Sequence, residues 1–232
     1  MSDHIVKAFG EAIDDLTSAV ARMGGVVETQ VTDALTAIGR RDTALAQAVI
    51  ERDLRADEAQ LSIERQATKL LALRQPMAND LREVLAAFKI AGELERVGDL
   101  AKSISKRTLV LNRNEPIGLT RTIERMGRIA SELLNHVLDA YSQRDITAAL
   151  AVWRRDEELD SHYNSLFREL LTYMMEDVRN ITPCTHLLFV AKNVERIGDH
   201  CTNIAEIVHY LISGEEIGRD RPKGDEFDSL TE

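Results

Sequence analysis

Glu95-Arg96-Val97-Gly98-Asp99 returns, one conservative exchange apart, as Glu195-Arg196-Ile197-Gly198-Asp199, a hundred residues further along a chain of 232. A second set of stretches repeats at an offset of 103: Arg41-Asp42, Ala48-Val49, Arg52-Asp53 and Asp57 against Arg144-Asp145, Ala151-Val152, Arg155-Asp156 and Asp160. Self-similarity at a fixed period constrains architecture more than any local pattern, because each copy must adopt the same unit and bury its apolar face against a neighbour. The chain is therefore a duplication, two similar units sharing a core.

Periodicity within each unit is helical. Ile5, Phe9, Ile13, Leu16, Val20, Met23, Val27, Val31, Leu35 and Ile38 step by threes and fours, which predicts a first helix over 3–39. Gly24-Gly25 interrupts it at a cost of about 1 kcal/mol per glycine relative to alanine, so a bend or a close helix contact is expected there. Asp42 caps a second helix running to 73, Pro76 breaks the pattern, and a third helix spans 79–112. The second unit repeats the scheme with helices over 117–142, 145–177 and 183–213, where Gly214 supplies a stop. No segment alternates long enough for a strand. The expected fold is all-α, six long helices in two tandem three-helix bundles over residues 1–114 and 115–214, followed by an acidic disordered tail over 215–232.

Composition narrows the function classes. A formal net charge of −10 argues against a nucleic-acid partner, which needs a basic face to neutralise phosphates. No uncharged run approaches the roughly 18 residues of a membrane span, and no basic-then-apolar leader opens the chain, so a cytoplasmic protein is expected. Cys184 and Cys201 lack the close spacing of thiolate metal sites or redox pairs and read as small buried apolar residues.

The duplicated carboxylates carry the chemistry. Asp53/Asp57, Glu95/Asp99, Asp156/Asp160 and Glu195/Asp199 are each four apart, on one face of a helix, where like charges repel. Antiparallel helices joined at a short turn put residues equidistant from the turn at one level. Residue 76 lies midway between 57 and 95 and between 53 and 99, and is the proline of the turn. The four acids of the second unit are likewise centred between 177 and 178. A helical wheel sets Glu95/Asp99 and Glu195/Asp199 away from the main apolar stripes, and no lysine is matched to them. Such a face is either a solvated acidic surface or a site for hard cations, which take several oxygen ligands. Its repetition favours the cation site. Asn203 continues the face beyond Asp199, whereas Ser103 and Lys106 stand where the second unit has Asn203 and Glu206, so the first site is expected to be the weaker.

Leu94 to Asp99 and Val194 to Glu206 together resemble the duplicated signature of the PhoU family, accessory and regulatory proteins of bacterial phosphate-specific transport. Arg74-Gln75-Pro76 with Asp80-Leu81-Arg82, and Asp177 with Ile181-Thr182, resemble it too. The resemblance covers all but the tail. It implies a six-helix, usually dimeric protein binding metal clusters at Glu/Asp-x-x-x-Asp motifs. The implied ligands are Asp53, Asp57, Glu95, Asp99, Asp156, Asp160, Glu195 and Asp199, with Asn203, and the implied ions are divalent or ferric: iron, zinc, manganese or magnesium. It also implies a non-enzymatic adaptor between the ATPase subunit of a phosphate ABC importer and a phosphate-sensing membrane histidine kinase, damping the phosphate-starvation response.

Two other classes compete. A ferritin-like di-iron oxidase needs inward Glu-x-x-His from two helices, and only Glu206…His209 has that spacing. A metal-free helical scaffold would leave the acidic faces without a ligand.

Overall fold

The computed structural model describes residues 2–74, 76–116 and 120–218; the acidic tail lies outside the described residues from 219 onward. Seven α-helices occur among them: α1 Ser2–Arg40, α2 Thr43–Arg52, α3 Leu54–Arg74, α4 Asn79–Leu111, α5 Thr120–Gln143, α6 Ile146–Glu176 and α7 Ile181–Ser213. No strand is present among the described residues. The architecture is the expected pair of three-helix units, with α2 and α3 together forming the middle helix of the first.

Two boundaries differ from expectation. The helix expected over 42–73 is interrupted at Asp53, which keeps right-handed helical dihedrals while the ladder tightens to a bond from Ala56 N to Asp53 O of 2.9 Å. The interruption falls at a side chain drawn into the interior. The last helix begins at Ile181, not at Pro183, because a proline in the first turn forfeits only an N–H that has no intrahelical partner. The expected start of α5 at 117 falls outside the described residues.

The repeated Arg-Asp pairs build the same corner twice. Arg41 and Arg144 adopt left-handed φ of 54° and 55°. Behind them, Asp42 N donates to Ala37 O at 2.8 Å and Asp145 N to Ala140 O at 2.9 Å, closing the preceding helix. The aspartates then cap the next one: Asp42 Oδ1 accepts from Leu45 N, and Asp145 Oδ1 from Thr147 N and Ala148 N. Glycine would take this φ with less strain. Arginine instead uses its side chain: Arg41 donates to the carbonyls of Leu111 and Asn114 at the end of α4, and Arg144 pairs with Glu83 at 2.5 Å.

One continuous core runs through both units. Central helices α4 and α7 pack against each other, α1 against α5, and α3 and α6 cover the flanks. Leu94, Val97, Ala101 and Ile104 of α4 and Val194, Ile197, Cys201 and Ile204 of α7 are buried. The α1–α5 crossing repeats the duplication: a Cβ on Gly24 would lie 2.7 Å from Leu138, and one on Gly127 2.7 Å from Leu35. Each glycine accepts the leucine of the other unit, so the sequence's double glycine marks a close contact. Its second member, Gly25, faces open space.

The neighbours therefore respond oppositely to alanine. Gly25→Ala gains about 1 kcal/mol of helix propensity, whereas Gly24→Ala must set that gain against an overpacking cost of about 1–3 kcal/mol. Thermal unfolding of the two variants should place Gly24→Ala clearly below Gly25→Ala; equal melting temperatures would refute the close crossing.

Candidate functional site

In the first unit the four sequence-selected acids gather where α3 meets α4. Asp53 is 2% exposed, Asp57 and Glu95 are half-buried, and the Asp99 carboxylate is 47% exposed. Gln30 of α1 donates from Nε2 to Asp53 Oδ1 at 2.8 Å and to Gly98 O at 3.2 Å. Lys102 binds the other Asp53 oxygen and lies 3.6 Å from Asp99 Oδ1. Burial, then Asp53, Asp99 and Glu58, push the Asp57 carboxyl up against the opposing pull of Lys102. Burial, then Asp99, Asp57 and Asp53, do the same to Glu95 despite Arg96, 3.7 Å away. The mutual influence matches the levels set by the proline turn.

The second unit is built differently around the same residue types. Asp156 of α6 is 2% exposed and Glu195 of α7 is 9% exposed, with Asp160 and Asp199 half-buried beside them. A Cβ on Gly198 would sit 2.3 Å from Asp156 Oδ1, so the motif glycine is what lets this carboxylate reach the α7 backbone. Glu195 Oε1 accepts from Lys192 Nζ at 2.7 Å, while Oε2 is buried with no hydrogen-bond partner. Burial pushes the Glu195 carboxyl up, Asp199 and Asp160 add to it, and Lys192 opposes it.

Two expectations are thereby corrected. Of the four acids on the wheels only Asp99 faces solvent, while Glu95 and Asp199 are half-buried and Glu195 is buried, because a wheel of one helix knows its own apolar stripe but not the second neighbour, here α3 or α6, that packs on the opposite side. Nor are they without lysines. Lys102 and Lys192 serve different acids in the two units, and both are one turn from an acid on their own helix, where a search for matched positions does not find them. Among the described residues no three His, Cys, Asp or Glu side chains stand ready to hold one ion.

Asn203 faces the seam between the units. Its Nδ2 donates to Glu93 Oε2 at 3.0 Å, and His200 Nδ1 lies 2.7 Å from the same oxygen. Burial of Glu93 works to raise its carboxyl, but these two bonds and the charges of His200 and Arg96 outweigh it and hold it below the usual range. A hundred residues apart, the partners exchange: Asn193 Nδ2 donates to Ser103 Oγ at 3.0 Å. The Ser103/Asn203 difference is thus one of seam chemistry, a role legible only once α4 and α7 are known to touch. Glu206 accepts from Trp153 Nε1 at 3.0 Å and His209 Nδ1 lies 2.9 Å from Glu215 O, so that Glu-x-x-His pair serves local structure. Cys184 and Cys201 are free and buried, as expected.

Comparison with known proteins places the geometry. The PhoU domain matches residues 20–108 and again 123–208. The chain is 58% identical over 226 residues to the phosphate-specific transport system accessory protein PhoU homolog of Caulobacter vibrioides, covering 97% of this chain and 98% of that protein. It is 37% identical over 230 residues to the phosphate-specific transport system accessory protein PhoU of Escherichia coli, covering 99% of this chain and 95% of that protein. The crystal structure of PhoU from Pseudomonas aeruginosa superposes with a TM-score of 0.86 at 37% identity, over 89% of this chain and all of that one.

The raised Glu195 carboxyl has a measurable consequence. The folded state holds this proton more tightly than the unfolded chain, so stability falls as pH climbs from the usual glutamate range through the folded value, and the penalty persists above it. In metal-free protein, Glu195→Gln should therefore raise the denaturation midpoint at neutral pH and leave it unchanged well below the carboxylate range. A loss of stability at neutral pH would mean that the Lys192 contact outweighs burial.

Proposed function

The chain belongs to the PhoU family of phosphate-specific transport accessory proteins, and from that premise we propose that it is a cytosolic regulatory adaptor. In this reading it couples the ATPase subunit of a phosphate ABC importer to a phosphate-sensing membrane histidine kinase and represses the phosphate-starvation regulon. The observation that carries the proposal is the 58% identity to an accessory protein of this transport system across nearly the whole of both chains. No helix among the described residues is long and apolar enough to cross a membrane, which suits a partner that docks on membrane proteins. Large exposed apolar side chains cluster at the hairpin ends, Leu73 and Met77 in one unit and Met175, Val178 and Ile181 in the other, and offer surface for such partners or for a homodimer. Without catalysis to perform, the protein acts through its surfaces.

Metal belongs to the proposal. The donor set is all oxygen, which hard cations such as magnesium and manganese favour and which carboxylate-bound iron or zinc can use, although the side chains must draw closer to hold one ion. A cation fits the second unit best, where the orphaned Glu195 Oε2 and the crowding by Asp160 and Asp199 call for positive charge. Glu195, Asp199, Asp160 and Asp156 would hold it. In the first unit Lys102 already supplies that charge to Asp53 and Asp99, so Asp53, Asp57, Glu95 and Asp99 hold an ion only if the ammonium swings away. A bound ion would supply charge compensation and a bridge between helices.

Deleting the gene should switch on phosphate-starvation genes in phosphate-rich medium; continued repression would count against the adaptor. Elemental analysis of protein purified without chelators should show metal that Glu195→Ala/Asp199→Ala removes and Glu95→Ala/Asp99→Ala removes far less. Equal loss would refute the ranking of the two sites, and no metal in any protein would refute the metal but spare the adaptor.

A further inference from the structure

The duplication brings the same arginine from both repeats, Arg96 and Arg196, onto one cavity of about 360 Å³ at the seam of α4 and α7. Lys102 and Lys106 join them in the lining, so four permanent cations face a single carboxylate, Asp99, in a chain whose net charge is −10. Lys102 already compensates Asp99 and Asp53. Lys106 and Arg196 are solvent-exposed and carry the excess. Concentrating like charge around a concavity, against the sign of the whole molecule, disfavours the fold unless an anion is drawn in.

We propose that this cavity binds a small anion of linked phosphoryl groups, an inorganic oligophosphate or the phosphate tail of a nucleotide. The chemistry of the lining selects the class. Guanidinium groups on both sides match phosphoryl oxygens through paired N–H donors, and the ammonium groups add point charge. Neutral donors complete the wall: Asn193 Nδ2 gives its hydrogen bond to Ser103 Oγ, and that hydroxyl keeps its own proton to donate. Size favours more than one phosphoryl group, since a cavity above about 300 Å³ accommodates ligands much larger than one tetrahedral anion. The lining contains no Phe, Tyr or Trp and only one large apolar side chain, Leu100; its one ring, His200, is engaged with Glu93 through Nδ1 at 2.7 Å, so no large aromatic platform is offered to a base. Recognition falls on the phosphates.

The site also touches the carboxylates. Lys102 is shared between the cavity and Asp53, so an anion that draws the ammonium toward itself loosens its hold on the first acidic cluster, and by linkage a cation on that cluster favours the anion. The inference rests on the lining alone and stands or falls apart from the adaptor reading, which is tested in cells.

Titration calorimetry on full-length protein, stripped with EDTA and desalted, tests it with pyrophosphate, ATP, inorganic phosphate and sulfate. Pyrophosphate should bind the unaltered protein in a salt-sensitive manner, and Lys106→Glu/Arg196→Glu should weaken it at least tenfold. All these positions are exposed, so the variants should melt normally. Lys69→Glu/Lys89→Glu makes the same charge change away from the cavity and should bind as the unaltered protein does. Both results support the site; ATP matching pyrophosphate would assign it to nucleotide tails, and pyrophosphate clearly ahead of ATP to free oligophosphate. No binding by any phosphate, equal weakening in both double variants, or sulfate matching pyrophosphate would overturn it.

Discussion

Neither unit can bury its own apolar surface. Three helices leave α4 and α7 each with an apolar stripe that its own hairpin partner does not cover, and the stripes are satisfied by each other. Because the two helices descend from one ancestral sequence, their contact is nearly symmetric, and the second contact between units, α1 on α5, obeys the same symmetry through Gly24 and Gly127 with their leucines. Much of what is polar at the seam follows from this arrangement: positions a hundred residues apart face one another, so Glu93 meets Asn203 while Asn193 meets Ser103.

Packing α3 and α6 on the outer flanks has a cost. It places Asp53, Asp156 and Glu195 in low-dielectric surroundings, where an uncompensated carboxylate destabilises the fold. The two units solve the problem separately. Gln30 and Lys102 neutralise and satisfy Asp53, and Gln30 has no polar counterpart at the matching position, Leu133. In the second unit Gly198 admits Asp156 to the helix, and Lys192 satisfies only one oxygen of Glu195. Duplicated motifs have thus diverged in what surrounds them, and the asymmetry is what ranks the units as cation sites.

Charge is also unequally distributed along the seam. Acids crowd the flanks where α3 meets α4 and α6 meets α7, while Arg96, Arg196, Lys102 and Lys106 converge on the cavity between α4 and α7. The two signs meet at Asp99, which lines the cavity and also crowds Asp57 and Glu95. Lys102 belongs to both, and it ties the electrostatics of a flank to that of the seam.

Helix count, the hairpin turns and the grouping of four acids per unit were legible from periodicity, proline and repetition, because these are properties of one chain segment or of a symmetric pair. The Asp42 cap and the significance of Gly24-Gly25 were legible for the same reason. What sequence alone could not supply was the neighbour beyond the first. A helical wheel reports one buried stripe, so it points Glu95 and Glu195 outward although α3 and α6 partly cover them, and it assigns no partner to Lys102, whose Asp53 lies off its own helix, or to Lys192, whose Glu195 stands one turn along the same helix. The repeat marks Arg41 and Arg144 without giving them a role, and only the folded chain shows that each closes a left-handed corner and ties it to a distant element. Repetition therefore determined the architecture and the chemical inventory of this protein, whereas the burial of each charge and its partner were decided by tertiary packing, since the desolvation of a carboxylate depends on everything around it and not on its own helix.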